Sequence, residues 1–160
     1  MGDLSEFTLA LRLFLRAYPW RRIDPVPWCE LRRPLAQSRL ALITSAGLVP
    51  LGAAPFDESV RGGDGSWREI PGDIAVETLV ECHRSEAFDH RGVAADRNLV
   101  FPLDRLRELA AAGRLGALND RHFSVMGSLT AVGRFMRETA PAIATALAAD
   151  GVEVALLVPV

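Results

Sequence analysis

The stretch of sequence that decides the fold is Asp150-Gly151-Val152-Glu153-Val154-Ala155-Leu156-Leu157-Val158-Pro159-Val160. Asp150-Gly151 is typical of a helix end with a glycine C-cap, and the apolar run after it is typical of a buried β-strand. In open α/β sheets, ligands bind outside the carboxyl ends of the strands, on the loops that come next. We therefore expect the place for chemistry to lie just beyond Val160, and we expect the chain to be interrupted there.

The elements upstream predict the same class of fold. Arg39 to Gly47 contains a first core strand that ends in a small-residue turn, and Trp67 to Pro71 is a short second strand. A helix is predicted from Asp104 to Ala112, and Ser128 is predicted to open a long helix that Pro141 interrupts. The prediction is an α/β domain with a mainly parallel sheet flanked by helices, in an incomplete doubly wound arrangement.

The sequence divides into two parts. Residues 1–37 contain a helix, with Ser5 as its expected cap and Pro19 at its end, and then a connector rich in Pro, Trp and Arg. Residues 38–160 form the predicted α/β domain, which is long enough to bury a core.

Composition narrows the classes of function. A net charge of −2 argues against a nucleic-acid partner. All 18 basic residues are arginines, which excludes a lysine Schiff base within this chain. The two cysteines, Cys29 and Cys82, form neither a disulfide framework nor a CxxC motif. No signal-peptide pattern and no apolar run of about 20 residues occurs, so we expect a cytoplasmic protein without a membrane partner.

Two polar segments contain all the histidines. Glu81 to Asn98 includes His83 and His90, and Leu118 to Ser128 includes His122. One interpretation is a metal site, although the spacing matches no zinc pattern. A second is a structural network of arginines paired with aspartates. A third is a set of functional loops that presents His and Arg to a carboxylate-bearing substrate, with the Ser128 helix adding its positive dipole.

A small-residue turn provides a different candidate. Ser45-Ala46-Gly47 follows the first strand, at a position where backbone N–H groups can meet an anion. A tight turn that requires glycine explains it at least as well, because no GxGxxG or P-loop pattern accompanies it. The alternative functions are therefore a non-enzymatic α/β module that binds an anion or nucleotide and, less favoured, a His-dependent metal hydrolase.

Four motifs carry a family resemblance: Phe88-Asp89-His90-Arg91, Ala94 to Pro102, Gly116 to Ser128, and the closing Asp150 to Val160. In these motifs the chain resembles the selenoprotein B family of the glycine, sarcosine, betaine and D-proline reductases. The similarity extends over residues 38–160, whereas the N-terminal helix is less diagnostic.

The resemblance implies a reaction. In that family a strand similar to Leu156 to Val160 leads directly into selenocysteine, or cysteine in some relatives, and then into a further α/β stretch. A selenolate cleaves a C–N bond of a small amino-acid-like substrate reductively, and dithiols regenerate it. Selenium suits this role because a selenol is ionised at neutral pH, whereas a cysteine thiol with a pKa of about 8.5 mostly is not.

The resemblance also implies what accompanies this chain. We expect no cofactor within it and a selenocysteine beyond its C-terminus, so the fragment is expected to be inactive alone. Partner reductase subunits, which supply a carbonyl group that activates the amine, or a homo-oligomer are expected partners.

The same interpretation assigns roles to residues of the two polar segments, which are expected to converge near Val160. The proton-transfer candidates are His83, His90 and His122, because histidine is the side chain that titrates near neutrality when unperturbed. No metal ligand is assigned. Arginine forks are expected to hold the substrate carboxylate, and the substrate-binding candidates are Arg91, Arg97, Asn119, Arg121 and Ser128.

The interrupted frame makes a prediction at the level of DNA. Selenocysteine is encoded by UGA, which is also a stop codon, so the codon after Val160 should be TGA and the frame should continue into a turn and an amphipathic helix. Sequencing the gene past codon 160 tests this expectation. A TAA or TAG, or a frame that decays at once into stops, would contradict it.

Overall fold

The computed structural model describes residues 7–19 and 22–160. The chain forms two compact units, Met1–Glu30 and Leu31–Val160. In the first unit, helix α1 spans Leu9–Ala17, and the hydroxyl of Thr8 caps it by accepting the N–H of Leu11 at 3.4 Å. The predicted cap, Ser5, lies outside the described residues. Across the described ranges, every helix is too short or too polar to cross a bilayer.

The second unit contains the sheets and three further helices. Its strands are β1 (Arg39–Thr44), β2 (Leu48–Val49), β3 (Trp67–Pro71), β4 (Val80–Glu81), β5 (Ala117–Leu118), β6 (Arg121–Val125) and β7 (Val154–Val158). Its α-helices are α2 (His90–Ala95), α3 (Leu103–Ala111) and α4 (Ala140–Ala149). Short 3-10 turns cover Leu35–Gln37, Val76–Thr78 and Arg97–Leu99, and a π-helical turn covers Phe135–Thr139.

Strand β1 is the centre of the main sheet. It pairs in parallel with β7 on one side and with β5 and β6 on the other, and β3 adds to β6 antiparallel. Strands β2 and β4 form a separate antiparallel pair. The expected α/β fold with a mainly parallel sheet is therefore confirmed.

Alternation along β1 divides the core into two layers. Leu40 and Leu42 pack into a cluster that includes Phe101 and Leu103 at the start of α3. Ala41 faces the other way, into a cluster with Ile143 of α4. Because successive side chains of a strand point to opposite faces, this pattern requires apolar elements on both sides of the sheet. Helices consequently cover both faces.

Two predictions about the C-terminal elements were wrong. The helix predicted from Ser128 has its first helical residue at 133 and passes through the π turn Phe135–Thr139 before α4. Pro141 lacks the N–H that would close an ordinary turn, which favours such a local widening. The last strand was expected to be buried, but β7 lies at the sheet edge and Leu157 is 64% exposed.

His122 accepts a backbone hydrogen bond of β1 at the point where the neighbouring strand changes from β5 to β6. Leu40 pairs with Leu118 of β5 and Ile43 pairs with Phe123 of β6, so the neighbouring chain carries two extra residues between these pairs. The N–H of Leu42 therefore donates to Nδ1 of His122 at 3.1 Å instead of to a strand carbonyl. His122 is fully buried, and burial lowers its pKa to about 4.

This arrangement predicts a pH-dependent contribution to stability. The pKa of His122 lies below its unfolded value of about 6.5, so the contribution is complete above pH ~6.5 and is lost as the pH falls toward about 4. We expect the free energy of unfolding to fall by about 2 to 3 kcal/mol more in the wild type than in His122→Asn between pH ~7.5 and pH ~4.5. Urea denaturation at both pH values measures the difference.

The asparagine variant is the matched form because its amide oxygen can still accept the N–H of Leu42 but does not titrate. Equal pH dependence in the two proteins would contradict the structural role assigned to His122.

Candidate functional site

Three parallel strands bring their carboxyl ends together at one junction. The hydroxyl of Ser45, just after β1, accepts the N–H of Val160 at 2.9 Å and lies 3.3 Å from the Val160 carbonyl oxygen, to which it donates. The N–H of Gly127, just after β6, donates to the Ser45 carbonyl at 2.8 Å. Val160 is thus fixed at the edge of the sheet where α/β proteins bind ligands.

The junction requires glycine at position 127. A Cβ atom there would lie 2.8 Å from the carbonyl oxygen of Ser45 and 2.9 Å from that of Val160. Both atoms belong to the backbone, so relief would require the strand ends to move apart.

A cleft of ≈ 250 Å³ opens at this junction. One wall comes from the loop after β4 and the other from the strand ends. Its lining residues are His83, Ser85, Ala87, Phe88, Gly127, Ser128 and Val160.

His83 is the titratable side chain among the lining residues of this cleft. It is only 8% exposed and stacks on Phe88 with ring centroids 4.2 Å apart. Its Nδ1 accepts the N–H of Ser85 at 3.3 Å, which places the ring proton of the neutral form on Nε2. Burial lowers the pKa of His83, so the ring is neutral near pH 7. The buried Nε2 has no hydrogen-bond partner among the described residues, and its N–H is an unused donor.

His90 lies beside the cleft but does not line it. Its Nδ1 is 2.7 Å from Oε2 of Glu81 and its Nε2 is 3.0 Å from the carbonyl oxygen of Ser85. The hydrogen bond that His90 donates to Glu81 is the main reason that the pKa of His90 is raised. Both neighbours are acceptors, so the pair of contacts suits the doubly protonated imidazolium.

His122, Asn119 and Arg121 lie away from the cleft, which none of them lines. Arg121 forms a two-pronged ion pair with Asp150, with Nε–Oδ2 2.7 Å and Nη2–Oδ1 2.9 Å, and also reaches Glu69 at 3.2 Å. Asn119 donates to the same Asp150 carboxylate at 2.9 Å. These hydrogen bonds, with Arg121 first, lower the pKa of Asp150 to about 2. The pairing joins β6 to the turn that precedes β7.

The other predicted arginines also lie outside the cleft lining. The guanidinium of Arg97 donates to the carbonyl oxygens of Leu79 at 2.6 Å, Val93 at 3.2 Å and Ala94 at 3.1 Å, and so ties α2 to the preceding loop. Arg91 is exposed on α2. Of the predicted site residues, the structure brings only His83 and Ser128 together in the cleft lining with Val160, with His90 next to His83.

The backbone N–H groups of the Ser45-Ala46-Gly47 turn, which were the candidate donors to an anion, all donate to groups within the protein. The N–H of Ser45 donates to Val158, that of Ala46 to the hydroxyl of Thr44, and that of Gly47 to Val125. Ser128 lies in irregular chain ahead of the first helical residue, so it provides no helix dipole. Within residues 7–19 and 22–160, no group of three His, Cys, Asp or Glu side chains is arranged to hold a metal ion.

Sequence reasoning assigned no role at the cleft to Glu81, Phe88 or Gly127, and it singled out Ser45 only as part of a turn that could meet an anion. Glu81 and Phe88 hold the two histidines of the loop, and Ser45 and Gly127 form the strand junction. The short spacing of Glu81 to His83 and His90 was a usable signal for the first pair. Nothing in the local sequence indicates that Gly127 contacts Val160, because that contact depends on the pairing of distant strands.

The comparisons with known proteins identify the class. The model of the family "Glycine/sarcosine/betaine reductase selenoprotein B" matches residues 8–159, and the chain belongs to this family.

Individual relatives agree with that assignment. The chain is 35% identical over 136 residues to the D-proline reductase subunit gamma of Acetoanaerobium sticklandii, covering 84% of this chain and 54% of that protein. It is 31% identical over 146 residues to the glycine reductase complex component B subunit gamma of Carboxydothermus hydrogenoformans, covering 90% and 33%. A sarcosine reductase complex component B subunit beta of Peptoclostridium acidaminophilum is 30% identical over 122 residues, covering 75% and 28%.

These relatives are longer than the chain. The chain spans about half the length of the D-proline reductase subunit and about a third of the glycine reductase subunit. No solved structure matches it significantly.

Proposed function

We propose that this chain provides the substrate cleft of a selenoprotein B-type component in a reductase that cleaves a C–N bond of a small amino-acid-like substrate. The observation that carries the proposal is the cleft beside Val160, at the carboxyl ends of β1, β6 and β7. His83 is among its lining residues, and the buried Nε2–H of this side chain is an unused donor. Family membership supports the reaction class.

The unused donor of His83 suits one end of such a substrate. The relatives are named for glycine, sarcosine, betaine and D-proline, and all four carry a carboxylate. The amine end of these molecules is cationic near pH 7 and has no free lone pair, so it cannot accept the N–H of a neutral imidazole. We therefore assign the Nε2–H of His83, together with the hydroxyl of Ser128, to the substrate carboxylate.

The nucleophile belongs to the position after Val160 in the family pattern. A selenolate or thiolate there supplies the attack on the substrate carbon that carries the amine. In the overall reaction the C–N bond is replaced by a C–H bond, the amine departs with a proton, and a dithiol is oxidised to a disulfide. Ser45 contributes by holding both backbone groups of Val160, and Gly127 contributes by leaving room for the strand ends to meet.

Partner subunits complete the proposed assembly. The relatives are named as subunits of D-proline, glycine, sarcosine and betaine reductases, most of them described as complexes. We assign the carbonyl group that activates the amine to such a partner.

The proposal predicts where an amino-acid ligand binds. In a ¹H–¹⁵N NMR titration with glycine, sarcosine, betaine and D-proline, we expect saturable shift changes in Gly127, Ser128 and His83. His83→Phe keeps the stacking on Phe88 but removes the donor, so the affinity should fall about 3- to 10-fold, which corresponds to one hydrogen bond of about 1 kcal/mol.

His122→Asn is the matched control, since it changes a histidine that does not line the cleft, and it should bind as the wild type does. An unchanged affinity in His83→Phe would contradict the proposal. So would shift changes centred on Asp150 and Arg121.

A further inference from the structure

The loop that carries His83 is closed by a single ion pair outside the cleft. One carboxylate oxygen of Glu81 accepts the backbone N–H of His83, and the other contacts Nδ1 of His90 at 2.7 Å. The second nitrogen of His90 reaches back to the carbonyl oxygen of Ser85 at 3.0 Å. The side chains of Glu81 and His90 thus hold each other and fix the backbone at His83 and at Ser85.

Ring packing transmits this closure to the cleft. Phe88 lies between the two histidines: it stacks on His83 at 4.2 Å and meets the edge of His90 at 5.2 Å. Ser85 is held on both sides, because its carbonyl accepts from His90 while its N–H donates to Nδ1 of His83. The bond to Nδ1 is the one that leaves the proton of His83 on Nε2. The tautomer of His83 therefore depends on where His90 holds Ser85.

We propose that Glu81 and His90 are positioning residues that form a protonation-dependent latch, which keeps the donor of His83 in place for the substrate carboxylate. The role of the latch in substrate binding rests on the proposed function, whereas the contacts that form it are independent of that function. Glu81 and His90 do not line the cleft, so we assign them a positioning role. The imidazolium of His90 donates to Glu81 and Ser85 together, whereas the neutral ring can donate only once.

The direction of the pH effect follows from the charges around His90. The charged and titratable groups that face it are Glu81 from β4, His83 across Phe88, and Asp89 at the start of its own helix. Both carboxylates favour the imidazolium, and the neutral His83 adds no opposing charge near pH 7. The latch is therefore closed below the raised pKa of His90 and opens as the pH rises through it.

Long-range ¹H–¹⁵N spectra of the imidazole rings test the latch directly, since the chain contains only three histidines. In the wild type, the signals of His83 should show the Nε2–H tautomer and a second inflection at the pH where His90 titrates. In Glu81→Gln the midpoint of His90 should drop toward about 6.5. In His90→Phe, which keeps an aromatic ring against Phe88, His83 should become a mixture of tautomers.

Two controls separate the latch from general disturbance. Glu86→Gln removes an exposed carboxylate of the same loop and should leave the signals of His83 unchanged. His122 should keep its chemical shifts in every variant and so reports that the fold is intact. The proposal is overturned if His83 has the same signals in His90→Phe and Glu81→Gln as in the wild type, or if Glu86→Gln alters them equally.

The readout needs no substrate, so its failure differs from failure of the proposed function. If the signals of His83 follow the titration of His90 but none of the four amino-acid ligands binds at the cleft, the latch is supported and the proposed function is contradicted. Ligand binding at the cleft with uncoupled histidines would do the reverse.

Discussion

The structure depends on β1 being paired in parallel on both sides. A parallel strand between two neighbours must bury both faces, and β1 does so with alternating contacts toward α3 and α4. The same pairing brings the ends of β6, β1 and β7 to one edge of the sheet. The cleft exists because the three ends approach closely, through the contacts of Ser45 with Val160 and Gly127.

His83 and His90 show how the surroundings of a side chain decide which of its protonation states is favoured. His83, in the loop after β4, and His90, the first residue of α2, are seven residues apart. The pKa of the first is lowered by burial, yet that of the second is raised by Glu81. Burial favours the neutral form of His83, whereas the hydrogen bond to Glu81 favours the protonated form of His90. The third histidine, His122, serves the hydrogen bonding of β1. A single residue type thus has three separate roles in this chain.

Local patterns predicted the fold well and the site only in part. The apolar runs at β1 and β7 and the Trp67–Pro71 strand were predicted from composition and spacing, because burial imposes those patterns on the sequence. The edge position of β7 and the delayed helix after Ser128 were missed, since strand order and the π turn are tertiary features.

The arginines show why the site was harder to predict. Arg97 and Arg121 occur in the family motifs and suit carboxylate recognition, but their forks are occupied by backbone carbonyls and by Asp150. Sequence alone cannot distinguish an arginine that holds the fold from one that meets a ligand. The difference depends on the partner of each arginine, and the partner of Arg121, Asp150, is 29 residues away in the sequence.

The central claim is that the junction of the three strand ends forms the substrate site. The most direct test is the affinity for D-proline and the urea stability of Gly127→Ala beside Gly65→Ala, whose added Cβ would meet its nearest neighbour at an ordinary 3.7 Å. The account predicts that Gly127→Ala loses about 1 to 3 kcal/mol of stability and binds at least about tenfold more weakly, whereas Gly65→Ala keeps its affinity. Gly127→Ala with wild-type affinity for D-proline would contradict the account.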